Sequence, residues 1–264
     1  MMRTVTSNDG TTIAFDQSGA GPAVILVGGA LSDRAAAAPV AALLAPHFTA
    51  INYDRRGRGD SGDTQPYAVE REVEDIAALI DAVGGSACVF AKSSGAALAL
   101  EAANRGLPIT KLALYEPPFI VDDARKPIPE GYVAHLGELA ASPGRGEAVE
   151  YFLANAVEVP PEALAQMRQA PMWPAMEAMA HTLAYDGAIM EGNMAGKPFS
   201  PGQWAAVTMP TLVMDGGDSP VWMHHASQAV ADVLPNARRI TLEGQTHSAD
   251  PNILAPVLVT FFSD

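Results

Sequence analysis

Two kinds of hydrophobic pattern follow each other near the start of the chain. Residues 11–19, TTIAFDQSG, alternate apolar and polar side chains, as a half-buried strand does. Residues 23–29, AVILVGG, form a continuous apolar run typical of a strand that is covered on both faces. The change from one pattern to the other predicts a sheet with an antiparallel edge and a parallel centre.

Further strands are predicted along the chain, and helical patterns separate most of them. The strand candidates read FTAINYD, ACVFAKS, KLALYEP, PTLVMDG and ARRITLEG, and the helical patterns include Val69 to Val83 and Gly95 to Arg105. This alternation predicts an α/β fold.

The alternation stops between residues 120 and 205, where proline-punctuated helical segments carry no convincing strand pattern. We therefore predict a helical cap, residues 120–205, inserted into a core made of residues 1–119 and 206–264. A chain of 264 residues with 48% hydrophobic content is long enough to bury the core of such a domain.

Composition limits the location and the partners. The chain has no apolar run of membrane-spanning length, and its first residues lack the apolar centre of a signal peptide, so we expect a soluble, cytoplasmic protein. The net charge of −14 argues against nucleic acid or an anionic membrane as a partner. We expect a small-molecule substrate and a monomer or homodimer.

Cys88 is the single cysteine, so an intramolecular disulfide and a cysteine-rich metal site are both excluded. Its place in an apolar strand indicates a small buried residue. No metal or organic cofactor is predicted.

The stretch CVFAKSSGAAL, residues 88–98, is an apolar strand pattern that ends in two serines and a glycine. A strand that ends in x-S-x-G and continues into a helix suits a nucleophile elbow, a tight turn that exposes a hydroxyl at the carboxyl edge of a sheet. Ala91 and Gly95 are the small neighbours that such a turn requires around Ser93. The alternative is that a serine caps the helix.

Three other motifs accompany this turn. VGGALSD follows AVIL, NYDRRGRGDSG follows the next strand, and LEGQTHSAD follows the last predicted strand. In this order the four motifs resemble the oxyanion loop, the D-x-R-G-x-G-x-S signature, the elbow and the G-x-x-H of the α/β-hydrolase superfamily. The resemblance implies the α/β-hydrolase fold, with a mostly parallel twisted sheet, helices on both faces and an inserted cap. The signature residues are Asp54, Arg56, Gly57, Gly59 and Ser61.

The resemblance also implies roles for individual residues. Ser93 is the expected nucleophile, and His247, which follows the last strand on a loop, is the expected base. The backbone N–H groups of Ser94 and Ala30 are expected to form the oxyanion hole, with Gly29 as the alternative to Ala30.

The position of the expected triad acid is where the sequence departs from the family that it resembles. The usual position, three residues after Gly216, is occupied by Ser219, and Asp218 is one residue early. Glu116 is a second candidate, because some haloalkane dehalogenases place their acid at the end of this earlier strand. Either loop can supply the carboxylate that orients the imidazole, so both candidates stay open.

Two further features bear on the substrate. One interpretation of Lys92 is structural: its side chain reaches the surface or pairs with an acid. The other is that Lys92 is a cation near the pocket that favours an anionic substrate. In the cap, Met172 and Met176 recur at helical spacing beside Trp173, either as a buried stripe or as the lining of an adaptable apolar pocket.

These observations predict a serine hydrolase that cleaves a small apolar carboxylic ester, lactone or thioester through an acyl-enzyme. Serine at position 93 argues against dehalogenase or epoxide-hydrolase chemistry, which in related enzymes uses an aspartate nucleophile. The alternatives are a carbon–carbon bond hydrolase, cofactor-free perhydrolysis, or a ligand-binding, non-catalytic or lyase-like member of the fold, since fold does not settle function.

Overall fold

An eight-stranded sheet forms the centre of the computed structural model, which describes residues 2–141 and 144–264. The strand order is β1-β2-β4-β3-β5-β6-β7-β8. The strands are β1 Met2–Thr6, β2 Thr12–Ser18, β3 Ala23–Val27, β4 Thr49–Tyr53, β5 Ala87–Lys92, β6 Ile109–Tyr115, β7 Thr211–Gly216 and β8 Ala237–Leu242.

The pairing of the strands confirms the predicted fold class. β1 and β2 pair antiparallel, β2 pairs antiparallel with β4, and every other neighbouring pair is parallel. β1 lies outside the strands predicted above, because its residues are mostly exposed and the segment has little hydrophobic signal.

Ten α-helices and one short 3-10 helix are present in the described residues. They are α1 Arg34–Leu44, α2 Val69–Ala82, α3 Ser94–Asn104, α4 Tyr132–Ala141, α5 Gly146–Asn155, α6 Pro161–Met167, α7 Trp173–Met179, the 3-10 helix Ala180–Thr182, α8 Leu183–Ile189, α9 Val221–Val233 and α10 Pro251–Ser263.

Helices cover both faces of the sheet. Side chains of α1 and α10 pack with Leu26 and Phe90 on one face, whereas side chains of α2, α3 and α9 pack with Ile25 and Val89 on the other. Successive residues of a strand point to opposite faces, which explains why AVILV and ACVFA are apolar at every position. Because β3 to β8 run parallel to one another, their carboxyl ends meet at one edge of the sheet.

The turn after β4 carries the D-x-R-G-x-G-x-S signature, and its residues hold the chain in place. The buried carboxylate of Asp54 accepts the backbone N–H of Asp60 at 2.9 Å, while the Ser61 hydroxyl donates to the Asp54 carbonyl at 2.7 Å. Gly59 has a φ of +50°, and a Cβ atom there would lie 2.2 Å from Asp54 Oδ2. Within this turn the signature is structural.

Helices α4–α8 and the 3-10 helix all lie between β6 and β7, and no strand occurs in the described part of that segment. Their buried side chains, including Leu136, Val149 and Leu183, form a separate apolar cluster. Ala30 and Leu31, which follow β3, pack against this cluster. The cap boundaries at 120 and 205 stay a prediction, and residues 142 and 143 within the predicted cap lie outside the described residues.

Among the described residues, no helix combines the length and the apolar character that crossing a membrane requires.

Candidate active site

Ser93 lies in the sharp turn between β5 and α3. Its φ of +58° and ψ of −133° lie in a region that side-chain-bearing residues rarely adopt, and such strain is typical of functional turns. The turn is held by the Ser93 N–H, which donates to the Tyr115 carbonyl at 2.9 Å, and by the Ala96 N–H, which donates to the Ser93 carbonyl at 2.8 Å. The geometry is that of a nucleophile elbow.

The small residues around Ser93 are required by the space available. A Cβ atom on Gly95 would lie 2.5 Å from the carbonyl oxygen of Gly28, and a Cβ atom on Gly29 would lie 2.8 Å from Ser93 Cβ. Both contacts are closer than real Cβ atoms allow, and the first is made to backbone that cannot turn aside. The loop after β3 therefore approaches the elbow directly.

His247 lies on the loop after β8, and Glu116 directly follows β6. His247 Nδ1 is 2.6 Å from Glu116 Oε2, and the Glu116 side chain is fully buried. Tyr115 steadies the histidine loop, because its hydroxyl donates to the carbonyl of Thr246 at 2.5 Å. The structure thus brings together two residues that are 131 positions apart in the chain.

The surroundings of Glu116 favour its ionised form. Burial opposes ionisation, but the hydrogen bonds from His247 and from the Gly216 N–H, 2.8 Å from Oε1, outweigh burial and lower the pKa of Glu116. A carboxylate at this position can hold the imidazole Nδ1–H, orient the ring and stabilise the imidazolium. Glu116 itself has a φ of +48°, so the backbone is strained at the acid as well as at Ser93.

The second candidate acid lies elsewhere. Asp218 is exposed, and it contacts the histidine loop through its backbone, whose N–H donates to the carbonyl of Gln245 at 2.8 Å. Of the two carboxylates predicted from the sequence, Glu116 is the one that the structure brings to His247.

The predicted oxyanion donors lie on either side of the elbow. Ser94 is the first residue of α3, so its N–H has no partner within the helix and carries the partial positive charge of a helix N-terminus. Ala30 and Gly29 lie in the loop that approaches Ser93. Their assignment as donors stays a prediction.

A buried ion network braces this region, and its central residue, Asp186, gives no local signal in the sequence. Asp186 Oδ1 accepts the Ser94 hydroxyl and Arg55 Nη1, both at 2.7 Å, and Oδ2 accepts Arg58 Nη2 at 2.8 Å. Arg58 also donates to the carbonyl of Gly29. Burial opposes ionisation of Asp186, but the two guanidinium groups and the hydroxyl lower its pKa. Helix α8 is thereby joined to both walls of the predicted oxyanion hole.

Ser93 and His247 line one cavity of about 230 Å³ at the carboxyl edge of the sheet. The other lining residues come from β3 and the loop after it, from the first turns of α1, from α10 and from the ends of β4, β5 and β6, and Lys92 is among them. The described residues include no group of three or more His, Cys, Asp and Glu side chains placed to hold a metal ion.

The predicted substrate-binding residues lie away from this cavity. Trp173 is buried in the apolar cluster of the cap, and its Nε1 donates to Glu177 at 2.8 Å. Met176 packs at the edge of the same cluster, and Met172 is 58% exposed. None of the three is among the described residues that line the cavity with Ser93, and their role in substrate binding stays a prediction.

The eight-stranded, mostly parallel sheet with helices on both faces is the fold of a class of hydrolases. The chain belongs to the alpha/beta hydrolase family, whose model matches residues 23–257. It is similar to the crystal structure of an alpha/beta hydrolase from Sphaerobacter thermophilus, with 60% identity and a TM-score of 0.91 over 98% of this chain and 100% of that one.

More distant structures share the fold. An enol-lactonase from Burkholderia xenovorans is 22% identical, with a TM-score of 0.74 over 99% of this chain and 100% of that one. An esterase from a Rhodococcus species is 20% identical, with a TM-score of 0.73 over 100% of this chain and 98% of that one.

Proposed function

We propose that the protein is a serine hydrolase that cleaves a small carboxylic ester, lactone or thioester through an acyl-enzyme on Ser93. The observation that carries the proposal is that His247, which lines the same cavity as Ser93, is paired with the buried carboxylate of Glu116.

In the acylation step, His247 Nε2 takes the proton of the Ser93 hydroxyl while Oγ attacks the substrate carbonyl carbon. The negative charge that develops on the carbonyl oxygen is stabilised by the N–H of Ser94 and by a backbone N–H of the loop after β3. The bond to the leaving oxygen or sulfur then breaks, and the imidazolium returns its proton to that atom.

In the deacylation step, His247 takes a proton from water, and the resulting hydroxide attacks the acyl carbon. The bond to Ser93 Oγ breaks, Oγ regains its proton from the imidazolium, and the acid leaves. Throughout both steps Glu116 holds Nδ1–H and offsets the positive charge of the ring, so the correct tautomer faces Ser93.

The size of the cavity supports a small substrate. Pockets for drug-sized ligands enclose about 300–1,000 Å³, and the cavity at Ser93 encloses about 230 Å³. The more distant structures share only the fold with this chain, so the proposed substrate range rests on the site itself.

A fluorophosphonate probe and a panel of short p-nitrophenyl esters test the proposal. We expect one covalent adduct per chain by intact mass and ester turnover, both abolished in Ser93→Ala. Ser86→Ala is a matched control, because Ser86 is exposed and directly precedes β5 at its opposite end. A protein that neither labels nor hydrolyses esters, while still binding short carboxylic acids, is a ligand-binding member of the fold.

A further inference from the structure

Lys92 is the last residue of β5 and directly precedes Ser93. The alternation of side chains along the strand places Lys92 on the same face as Phe90, which packs towards α1 and α10. Lys92 is one of the residues that line the cavity with Ser93 and His247. Its side chain therefore lies beside the proposed reaction centre.

The ammonium group has no hydrogen bond or ion pair with any residue in the ranges 2–141 and 144–264. Other interior cations differ from it: Arg55, Arg56 and Arg58 each bind a buried carboxylate at 2.7–2.8 Å. Such pairing is the rule for buried charges, because desolvation is costly without a partner. Lys92 is partly buried with no such compensation.

The carboxylate that attracts the Lys92 ammonium group, Glu116, does not pair with it. Glu116 attracts the ammonium, but its oxygens are already held by His247 Nδ1 at 2.6 Å and by the Gly216 N–H at 2.8 Å. Burial outweighs this attraction and lowers the pKa of Lys92. An anion delivered by the substrate would supply the missing partner.

Part of the cavity wall suits a short carbon chain, although Ser32, Asp33 and Asn52 also line it. Its walls include the apolar side chains of Ala36, Ala37, Val40 and Leu254. With a volume of about 230 Å³, the cavity accommodates a few carbon atoms between the scissile carbonyl and a terminal charge.

Building on the proposed serine hydrolase, we propose that Lys92 binds a carboxylate of the substrate, so that the preferred substrates are small anionic esters or lactones. The carboxylate lies a few carbon atoms from the scissile carbonyl, and the carbon chain contacts the small apolar wall. Lys92 then determines specificity through a charge-assisted hydrogen bond.

Matched pairs of substrates test this assignment. Monomethyl glutarate is compared with methyl pentanoate, and O-acetylglycolate with propyl acetate, so that the carboxylate lies on the acyl side in one pair and on the alcohol side in the other. We expect kcat/KM to favour the anion in at least one pair. In Lys92→Met that anionic-to-neutral ratio should fall about ten- to a hundredfold, the range expected for losing a hydrogen bond between charged groups.

Lys126→Met is the matched control, because Lys126 is exposed and its replacement removes the same charge. The ratio in this variant should equal that of the wild type. If Lys92→Met fails to fold, as judged by circular dichroism, Lys92→Gln takes its place. An unchanged ratio in the folded Lys92 variant overturns the assignment, and so does a wild type that hydrolyses these esters with no preference for the anion in either pair.

A binding measurement separates this inference from the proposed function. Glutarate is titrated by calorimetry into two proteins, the Ser93→Ala variant and the double variant Ser93→Ala, Lys92→Met. This measures binding and does not require turnover. We expect affinity to fall at least tenfold in the double variant. If the wild type hydrolyses no ester but glutarate binding depends on Lys92, the serine-hydrolase proposal fails and the anion site stands. Equal glutarate affinity in the two proteins removes the anion site, whatever the esters show.

Discussion

His247 Nδ1 lies 2.6 Å from Glu116 Oε2, although two strands and the whole helical cap separate the two residues in the chain. The carboxylate that contacts His247 therefore follows β6, whereas Asp218, in the loop after β7, is exposed. A carboxylate at either strand end can serve the same imidazole, because the carboxyl ends of β6, β7 and β8 are neighbours at one edge.

Replacing the acid by its amide should separate the two carboxylates. We expect Glu116→Gln to lower kcat on a short ester by up to about 10⁴-fold, because the amide no longer holds Nδ1–H and no longer offsets the imidazolium charge. Asp218→Asn should stay within several-fold of wild type. Steady-state kinetics at neutral pH measures both, and a large loss in Asp218→Asn with none in Glu116→Gln contradicts the geometry.

The crowding at the elbow predicts an effect of a single methyl group. Gly95→Ala should lower the free energy of unfolding by about 1–3 kcal/mol or more, since the added Cβ meets backbone oxygen, and it should reduce fluorophosphonate labelling of Ser93. Gly137→Ala is the control: it lies within α4 with open space around it, so alanine should stabilise by about 0.5–1 kcal/mol. Equal behaviour of the two variants in urea unfolding would show that the elbow tolerates a side chain.

Because Trp173 is buried in the apolar cluster of the cap, we expect it to stabilise the cap and not to contact the substrate. Trp173→Ala should cost about 3–5 kcal/mol of stability, the usual cost of truncating a buried aromatic residue. Met172→Ala should stay within about 0.5 kcal/mol, because this side chain is exposed. Neither change should shift the preference among ester chain lengths. A shifted preference with unchanged thermal stability would return these residues to the substrate pocket.

Because Asp186 is buried and ionised, we expect its contribution to the free energy of unfolding to depend on pH. Asp186→Asn leaves Arg55 and Arg58 without their shared carboxylate, and breaking a buried pair costs about 3–5 kcal/mol at neutral pH. The native pKa of Asp186 is lowered from 3.8. Its stabilising contribution is therefore fully present above the unfolded value and is lost as pH falls through the native one.

Urea unfolding at a series of pH values measures this dependence. The difference between wild type and Asp186→Asn should be constant above about pH 5 and shrink below about pH 4, given the reference value for Asp. Asp60→Asn serves as the control, because Asp60 binds Arg34 at the surface and such pairs contribute about 0–1 kcal/mol. A difference that is independent of pH down to pH 2 would show that Asp186 acts through shape and not through charge.

Local patterns were sufficient for much of this molecule. The continuous apolar runs of β3 and β5 and the alternating run of β2 predicted the parallel centre and the antiparallel edge, because a strand's hydrophobic period reflects how many of its faces are covered. The small residues at 91 and 95 predicted a tight turn at Ser93, because closely packed backbone segments leave no room for larger side chains. His247 was predicted from its place after the last strand.

Only the tertiary structure showed which residues that are far apart in the chain contact each other. The sequence by itself determined the α/β class, the elbow and the two candidate acids, because each depends on neighbours within one strand or turn. It did not show that Glu116 and not Asp218 contacts His247, that Trp173 lies in the cap cluster, that Asp186 is buried among arginines, or that Lys92 has no partner among the described residues. Each of those depends on which loops and helices meet at the edge of the sheet, and that meeting is set by strand order and packing, which no short stretch of sequence encodes.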